Sequence, residues 1–231
     1  MAFIDKQTVL NITGVSEDDY ETDELSDFIM FAQREVLSKI QQTAIREKVD
    51  YIDETRENDI DGSTTTFYFK NWKGNYLGDM DYDGDIDIDD IKVYQVDDDD
   101  VETELTPSSV DYKNMSFTLS SAPDEDSELY VTYAYTPYDL VLPHPLLTQA
   151  TAFLAASYLK LTEGGGSTMG GGDDARSIRI GNLAIGSGST SSSAYSYGKV
   201  TSFYDKYREL MAQLLDNSTS SAIWGESFVT I

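Results

Sequence analysis

One twelve-residue stretch constrains this chain more than any other: Asp79-Met80-Asp81-Tyr82-Asp83-Gly84-Asp85-Ile86-Asp87-Ile88-Asp89-Asp90. Counted from Asp79, acidic side chains stand at positions one, three, five, nine and twelve, with glycine at six and an apolar residue at eight. A Ca²⁺ ion takes six to eight oxygens, and a loop that wraps one needs a sharp turn at position six and a backbone carbonyl at position seven. Gly84 and Asp85 occupy those two positions. The expected ligands are therefore the side chains of Asp79, Asp81, Asp83, Asp87 and Asp90, completed by the carbonyl of Asp85. Ca²⁺ is the expected ion, with Mg²⁺ as the second choice. Starting the count at Asp81 would put Ile86 at the glycine position, so the register is not arbitrary.

Position twelve is Asp90 rather than the Glu of EF-hands, and in this the loop resembles the dockerin-type variant. An acid-rich composition also produces alternating aspartates, so the competing reading is an acidic turn without an ion. Beyond the loop, Ile86, Ile88, Ile91 and Val93 fall in a mostly alternating, strand-like pattern rather than at helical spacing. The loop is thus expected as a metal-stapled turn between β-strands, stabilising a small domain.

The rest of the composition sets the conditions under which such a chain folds. It carries 42 acidic against 16 basic residues, a formal charge of −26, spread over most of its length. Self-repulsion at that density destabilises a compact state in dilute buffer. At molar salt the Debye length shrinks to about 3 Å and the repulsion is largely screened. The composition therefore points to a protein made in a salt-saturated cytoplasm. The same charge argues against sequence-specific nucleic-acid binding, which needs a basic footprint to neutralise phosphates. The chain has no cysteine, so disulfide and thiolate chemistry are out of reach. No apolar run approaches a membrane span, and Met1-Ala2-Phe3-Ile4-Asp5 lacks the basic and apolar regions of a signal peptide. A soluble intracellular product, with no membrane partner, is expected.

Helical patterns flank a β-rich middle. Leu25, Phe28, Ile29, Ala32, Val36 and Ile40 recur at helical spacing, and a second amphipathic stretch is read as helix from about Thr43 to Thr55. After the turn signal Asp61-Gly62, strands are expected at Thr65–Lys70, around Ile86–Val96, at Ser116–Leu119 and at Leu129–Tyr135. Pro107, Asp111, Pro123 and Asp124 punctuate them. The β-rich part, residues 62–137, reads as a small antiparallel barrel or sandwich. Pro145 suits the first position of a helix, and Leu146, Leu147, Ala150, Phe153, Leu154, Ser157, Tyr158 and Leu161 continue it. The single histidine, His144, stands between two prolines and reads as a cap rather than a ligand or base.

Two glycine triplets, 164–166 and 170–172, precede Ile178-Arg179-Ile180-Gly181-Asn182-Leu183-Ala184-Ile185, a hairpin pattern turning at Gly181-Asn182. A last helix is marked by Val200, Phe203, Tyr204, Tyr207, Leu210, Met211 and Leu214. The end of the chain, from residue 217, carries Ile223, Trp224, Phe228 and Ile231 in a polar setting, a composition suited to docking on a partner. Partner contacts are accordingly expected at Ile180, Gly181, Asn182 and Leu183 and at those four tail residues. Catalytic motifs are missing: there is no nucleophile elbow, no phosphate-binding loop and no dinucleotide fingerprint. The chain does not read as an enzyme.

The opening pattern Val15-Ser16-Glu17-Asp18-Asp19 through Leu25-Ser26-Asp27-Phe28-Ile29, with Ala32 and Val36, resembles the first helices of head-to-tail connector (adaptor) proteins of tailed phages. So does the order of later parts: the Pro145 helix ending Ala155-Ala156-Ser157-Tyr158-Leu159, the Ile178–Ile185 hairpin and the closing Tyr204–Leu215 helix. The resemblance covers roughly residues 5–60 and 138–231. It implies an α+β chain in which an adaptor-type helical bundle (1–61 and 138–231) carries the hairpin and an extended C-terminal arm (217–231), interrupted by the inserted β domain at 62–137. It further implies a virion protein forming a ring, commonly twelvefold, between the portal and a neck or tail protein, with DNA passing through its channel. With the acidity, a tailed virus of halophilic archaea is the expected source. The alternatives are another neck or tail-completion protein of the same virion, or an extracellular calcium-binding module.

Because the charge is general rather than local, salt should control folding. Lowering KCl from molar to about 0.1 M lengthens screening to about 10 Å and should expand or unfold the chain. Circular dichroism across that range checks it, and a signal that stays native throughout would rule out salt adaptation as the reason for the composition.

Overall fold

The computed structural model describes residues 4–15, 22–165, 175–180, 183–188 and 203–216. The chain divides into two compact units. One is gathered from both sides of the sequence (Ala2–Val36 and Pro145–Asn217), and the other contains Leu37–His144.

The first unit is helical because its segments carry apolar stripes and good ends. In α1 (Lys6–Thr13), Asp5 caps the start by accepting from the Thr8 N–H at 2.7 Å, and Gly14 closes the end at φ 68°. Such a left-handed residue is a common helix terminator. In α2 (Thr22–Ile40), Leu25, Ile29, Ala32 and Val36 are buried, the spacing expected of one helix face. In α3 (Pro145–Gly165), apolar and small residues surround the axis, and Leu147, Ala150, Leu154, Ala155, Ala156 and Leu159 are all buried. The helix α4, residues 203–216, buries Tyr207, Leu210, Met211 and Leu214. Glu35 on α2 ties these helices together by accepting from the Tyr158 hydroxyl of α3 at 2.8 Å and the Tyr207 hydroxyl of α4 at 3.5 Å. Burial and the neighbouring carboxylate push both tyrosine hydroxyls well above their ordinary pKa, so they stay protonated donors.

The second unit is built on antiparallel strands. Chain order gives β1 (Gln42–Lys48), β2 (Thr66–Tyr68), β3 (Tyr76–Leu77), β4 (Ile91–Val96), β5 (Glu102–Leu105), β6 (Pro107–Asp111), β7 (Ser116–Leu119) and β8 (Glu128–Thr136). One sheet runs β1-β8-β4-β5, with β3 also paired to β8; the other runs β2-β7-β6. The longest strand, β8, alternates as a half-buried strand should: Leu129, Val131 and Tyr133 are buried, while Tyr130 and Thr132 are half-buried. Those three meet Phe67, Phe69 and Phe117 in one core, with Phe69 stacked 4.2 Å from Tyr133 and 5.4 Å from Phe117 between ring centroids. Both sheets feed that core, and among the described residues they form no closed barrel.

The stretch Thr43–Thr55, expected as helix, is not helical. It begins as the edge strand β1, paired with β8, followed by an isolated bridge between Asp53 and Arg56. The reason is a bulge. The register shifts between Ala44 and Glu47, Arg46 takes φ 50°, and its N–H donates to the Thr132 hydroxyl at 3.0 Å. The bulge spaces the half-buried positions Ala44 and Glu47 three apart, which mimics helical periodicity in the sequence. The β unit accordingly begins at Leu37 rather than at residue 62. Strand β4 also begins at Ile91 rather than Ile86, because Ile88–Asp90 form a 3-10 turn.

Between α3 and α4 in the sequence, β9 (Ala175–Ile180) and β10 (Leu183–Gly188) pair antiparallel with Ile180 opposite Leu183, the hairpin expected from sequence. No helix among the described residues is long and apolar enough to cross a membrane.

Truncating Phe69, fully buried between Phe117 and Tyr133, should cost about 3–5 kcal/mol of stability. Val101, more than half exposed, should tolerate serine within about 0.5 kcal/mol. Chemical denaturation of F69A and V101S in molar KCl measures both, and equal midpoints would contradict the assigned core.

Candidate metal centre

The acidic loop hangs between β3 and β4, both of which pair with β8. Its entrance is pinned where the Gly78 N–H donates to the Ala134 carbonyl of β8 at 2.8 Å. From there the backbone turns as the sequence requires, with Gly84 at φ 96°, a conformation that favours glycine. Tyr82 also takes a positive φ, 63°, which tightens the same turn.

Asp79 is only 2 % exposed. Its Oδ2 accepts from the Gly84 N–H at 2.9 Å, closing position one onto position six. Its Oδ1 is buried and has no hydrogen-bond partner. A buried oxygen of that kind costs free energy unless something else supplies a partner. Successive aspartates continue the turn: the Asp81 Oδ1 accepts from the Asp83 N–H at 3.1 Å, and the Asp83 Oδ1 from the Asp85 N–H at 2.8 Å. The result is a convergence of carboxylates, with one oxygen each from Asp79, Asp81 and Asp83 lying within 4.8 Å of one another.

Asp90, 1 % exposed, forms the base of the loop. One of its oxygens accepts from the Met80 N–H and the other from the Asp87 N–H at 2.9 Å, so it joins the two ends of the loop. Asp87 caps the 3-10 turn through its Oδ1, which accepts from the Asp89 N–H at 2.8 Å. Of the six expected metal residues, the fold thus brings together Asp79, Asp81 and Asp83. The charges of Asp79 and Asp81 are felt at Asp90, and the carboxylates of Asp85 and Asp87, exposed like those of Asp81 and Asp83, lie outside the three-carboxylate cluster.

Burial pushes the Asp79 carboxyl up to about 6 and the Asp90 carboxyl up to about 7. The loop N–H groups pull each value down, and the neighbouring carboxylates, Asp81 and Asp83 for Asp79 and Asp79 and Asp81 for Asp90, push it up again. The electrostatic need of the site is therefore positive charge. A hard divalent cation coordinated by the orphaned Asp79 Oδ1, Asp81 and Asp83 would meet it, because carboxylate oxygens are the ligands such ions select. The residues present fit a hard divalent cation, with nothing in the three carboxylates that selects one such ion over another.

One contributor has no signature in the loop motif. Gln41, at the end of α2, donates from Nε2 to the Asp79 carbonyl at 3.0 Å across 38 positions of sequence. Among the expected partner-binding residues, Ile180 ends β9 and Leu183 opens β10. Gly181, Asn182, Ile223, Trp224, Phe228 and Ile231 lie outside the described residues, as do the glycine triplet at 170–172 and the arm from 217 to 231. No protein-family model matches the chain, and no curated protein matches it.

In the cation-free protein, folded-state values of about 6 and about 7 stand above the usual aspartate range. Groups raised in this way favour folding fully below the unfolded pKa, and the contribution is lost as pH rises through the folded value. Without divalent cation, the melting temperature in molar KCl should therefore fall between about pH 4 and about pH 7 and level off above that. Millimolar Ca²⁺ should raise it and flatten the fall, since a bound ion holds the carboxylates charged. Calorimetry on the wild type and on D79A/D83A checks this. A calcium response identical in the two proteins would reduce the loop to an acidic turn.

Proposed function

We propose that this chain is a structural, non-enzymatic virion protein: a head–tail adaptor that assembles as a ring between the portal and a neck or tail protein, with its β unit stapled by Ca²⁺. The observation that carries the reading is the order and grouping of parts. Helices from both ends of the sequence form one compact unit, a two-stranded hairpin stands between α3 and α4, and the β unit occupies the interval between α2 and α3. This is the plan implied by the resemblance to phage connector proteins.

The chemistry is consistent with that role. A ring uses head-to-tail contacts whose rotation closes, and the hairpin and the tail with Trp224 and Phe228 supply segments to reach neighbours. On this reading the tail meets the portal side and the hairpin approaches the channel. Strong negative charge lets DNA pass without adhering, because no counterions are released by phosphate contacts. Mg²⁺ is the second candidate for the loop, by the same oxygen chemistry. The cation's role in this setting is mechanical, making a small β unit rigid without adding apolar core.

Electron microscopy of the purified protein in molar KCl should show closed rings. Deleting residues 217–231 should preserve helical circular dichroism yet abolish incorporation into particles. Monomers at high concentration, together with filled and tailed virions built from the truncated chain, would overturn the adaptor reading.

A further inference from the structure

The last turn of α2 and the entrance of the acidic loop are joined by a single side chain. The Gln41 N–H donates to the Leu37 carbonyl at 2.9 Å, which completes the helix, and the next residue, Gln42, opens β1 opposite Tyr135. The Gln41 side chain turns the other way and donates to the carbonyl of Asp79, the residue whose carboxylate carries the orphaned oxygen. It can reach that carbonyl because residue 78 is glycine. A Cβ there would sit 2.2 Å from Gln41 Oε1 and 3.1 Å from the Ala134 Cβ. The backbone cannot move aside easily, since the Gly78 N–H is held by the Ala134 carbonyl.

We infer that Gln41 is a positioning residue for the cation loop, and that cation binding there orders the junction at which α2 passes into β1. The inference rests on the loop being a cation site. An ion on the Asp79 carboxylate fixes that residue's backbone, and the fixed carbonyl is a better acceptor for Gln41. Partners behind a metal's ligands commonly change affinity by about 10–100-fold when removed. Coupling is reciprocal, so whatever Gln41 contributes to cation affinity, the cation returns as order at the helix end.

The test uses the full chain in molar KCl with Ca²⁺ as probe. Isothermal titration gives affinity, and hydrogen exchange gives protection of the amides at 37–42 with and without the ion. Wild type should gain protection there on adding Ca²⁺. Gln41→Met keeps the bulk and removes the donor; it should still bind Ca²⁺, about tenfold more weakly, and lose the Ca²⁺-dependent protection at 37–42 while keeping it within 79–90. Gly78→Ala leaves Gln41 and every carboxylate in place but displaces the amide, and it should show the same pattern. Both variants retaining full protection at 37–42 on binding Ca²⁺ would overturn the coupling while leaving the cation site intact. Absence of Ca²⁺ binding by the wild type would overturn the site and the coupling with it.

Discussion

Strand β8 is hydrogen-bonded along both edges, and the parts of the β unit that concern the candidate site take their positions from it. On one side it holds β1, and through β1 the end of α2. On the other it holds β4 and β3, the exit and entrance of the acidic loop. Its inward residues Leu129, Val131 and Tyr133 anchor the shared core. Even the polar tip of Tyr133 is used: it donates to Glu47 at 2.8 Å and accepts from the Asn71 amide at 2.9 Å, which binds the bulged part of β1 to the turn after β2. A strand satisfied on both edges and packed on one face is the rigid element on which a site can be held.

The acidic loop inverts the usual economy of a folded domain. Most proteins keep carboxylates at the surface, and this chain exposes a great many, yet it buries two of them, Asp79 and Asp90, within one turn. Their backbone N–H partners account for three of the four oxygens and leave Asp79 Oδ1 without one. Hydrogen bonds shape the loop, but they do not neutralise it. The neighbouring charges acting on the pair are other aspartates, so protons or a cation would favour the arrangement. Near neutral pH, a divalent ion is the better counter-charge because it is shared among several oxygens at once.

The helical unit solves a related problem differently. Glu35 is a carboxylate among apolar helix faces, and it is met by the hydroxyls of Tyr158 and Tyr207 rather than by an ion. Each tyrosine contributes a large apolar ring and one polar tip, so the same side chains pack the bundle and satisfy the acid. The aromatic ring contacts Phe153–Phe203 and Tyr204–Tyr207, at 6.2 Å and 5.5 Å, add to that packing.

What the sequence determined by itself was local. The loop register is visible because the glycine turn, the Asx hydrogen bonds and the aspartate spacing all act within twelve residues, and the backbone turns at Gly84 as that spacing requires. The α2 stripe, the Pro145 start of α3, the β8 alternation and the β9–β10 hairpin are legible for the same reason, since each is a short-range period or turn preference. Tertiary structure decided the rest. It turned Thr43–Lys48 into an edge strand, because pairing with β8 and a bulge at Arg46 override the apparent helical spacing. It made Pro107–Asp111 the strand β6, where a proline is tolerated at the start of an edge strand. It also chose which aspartates are buried and brought Gln41 to Asp79. Burial and long-range hydrogen bonds depend on what lies opposite in space, and no local period in the chain encodes that.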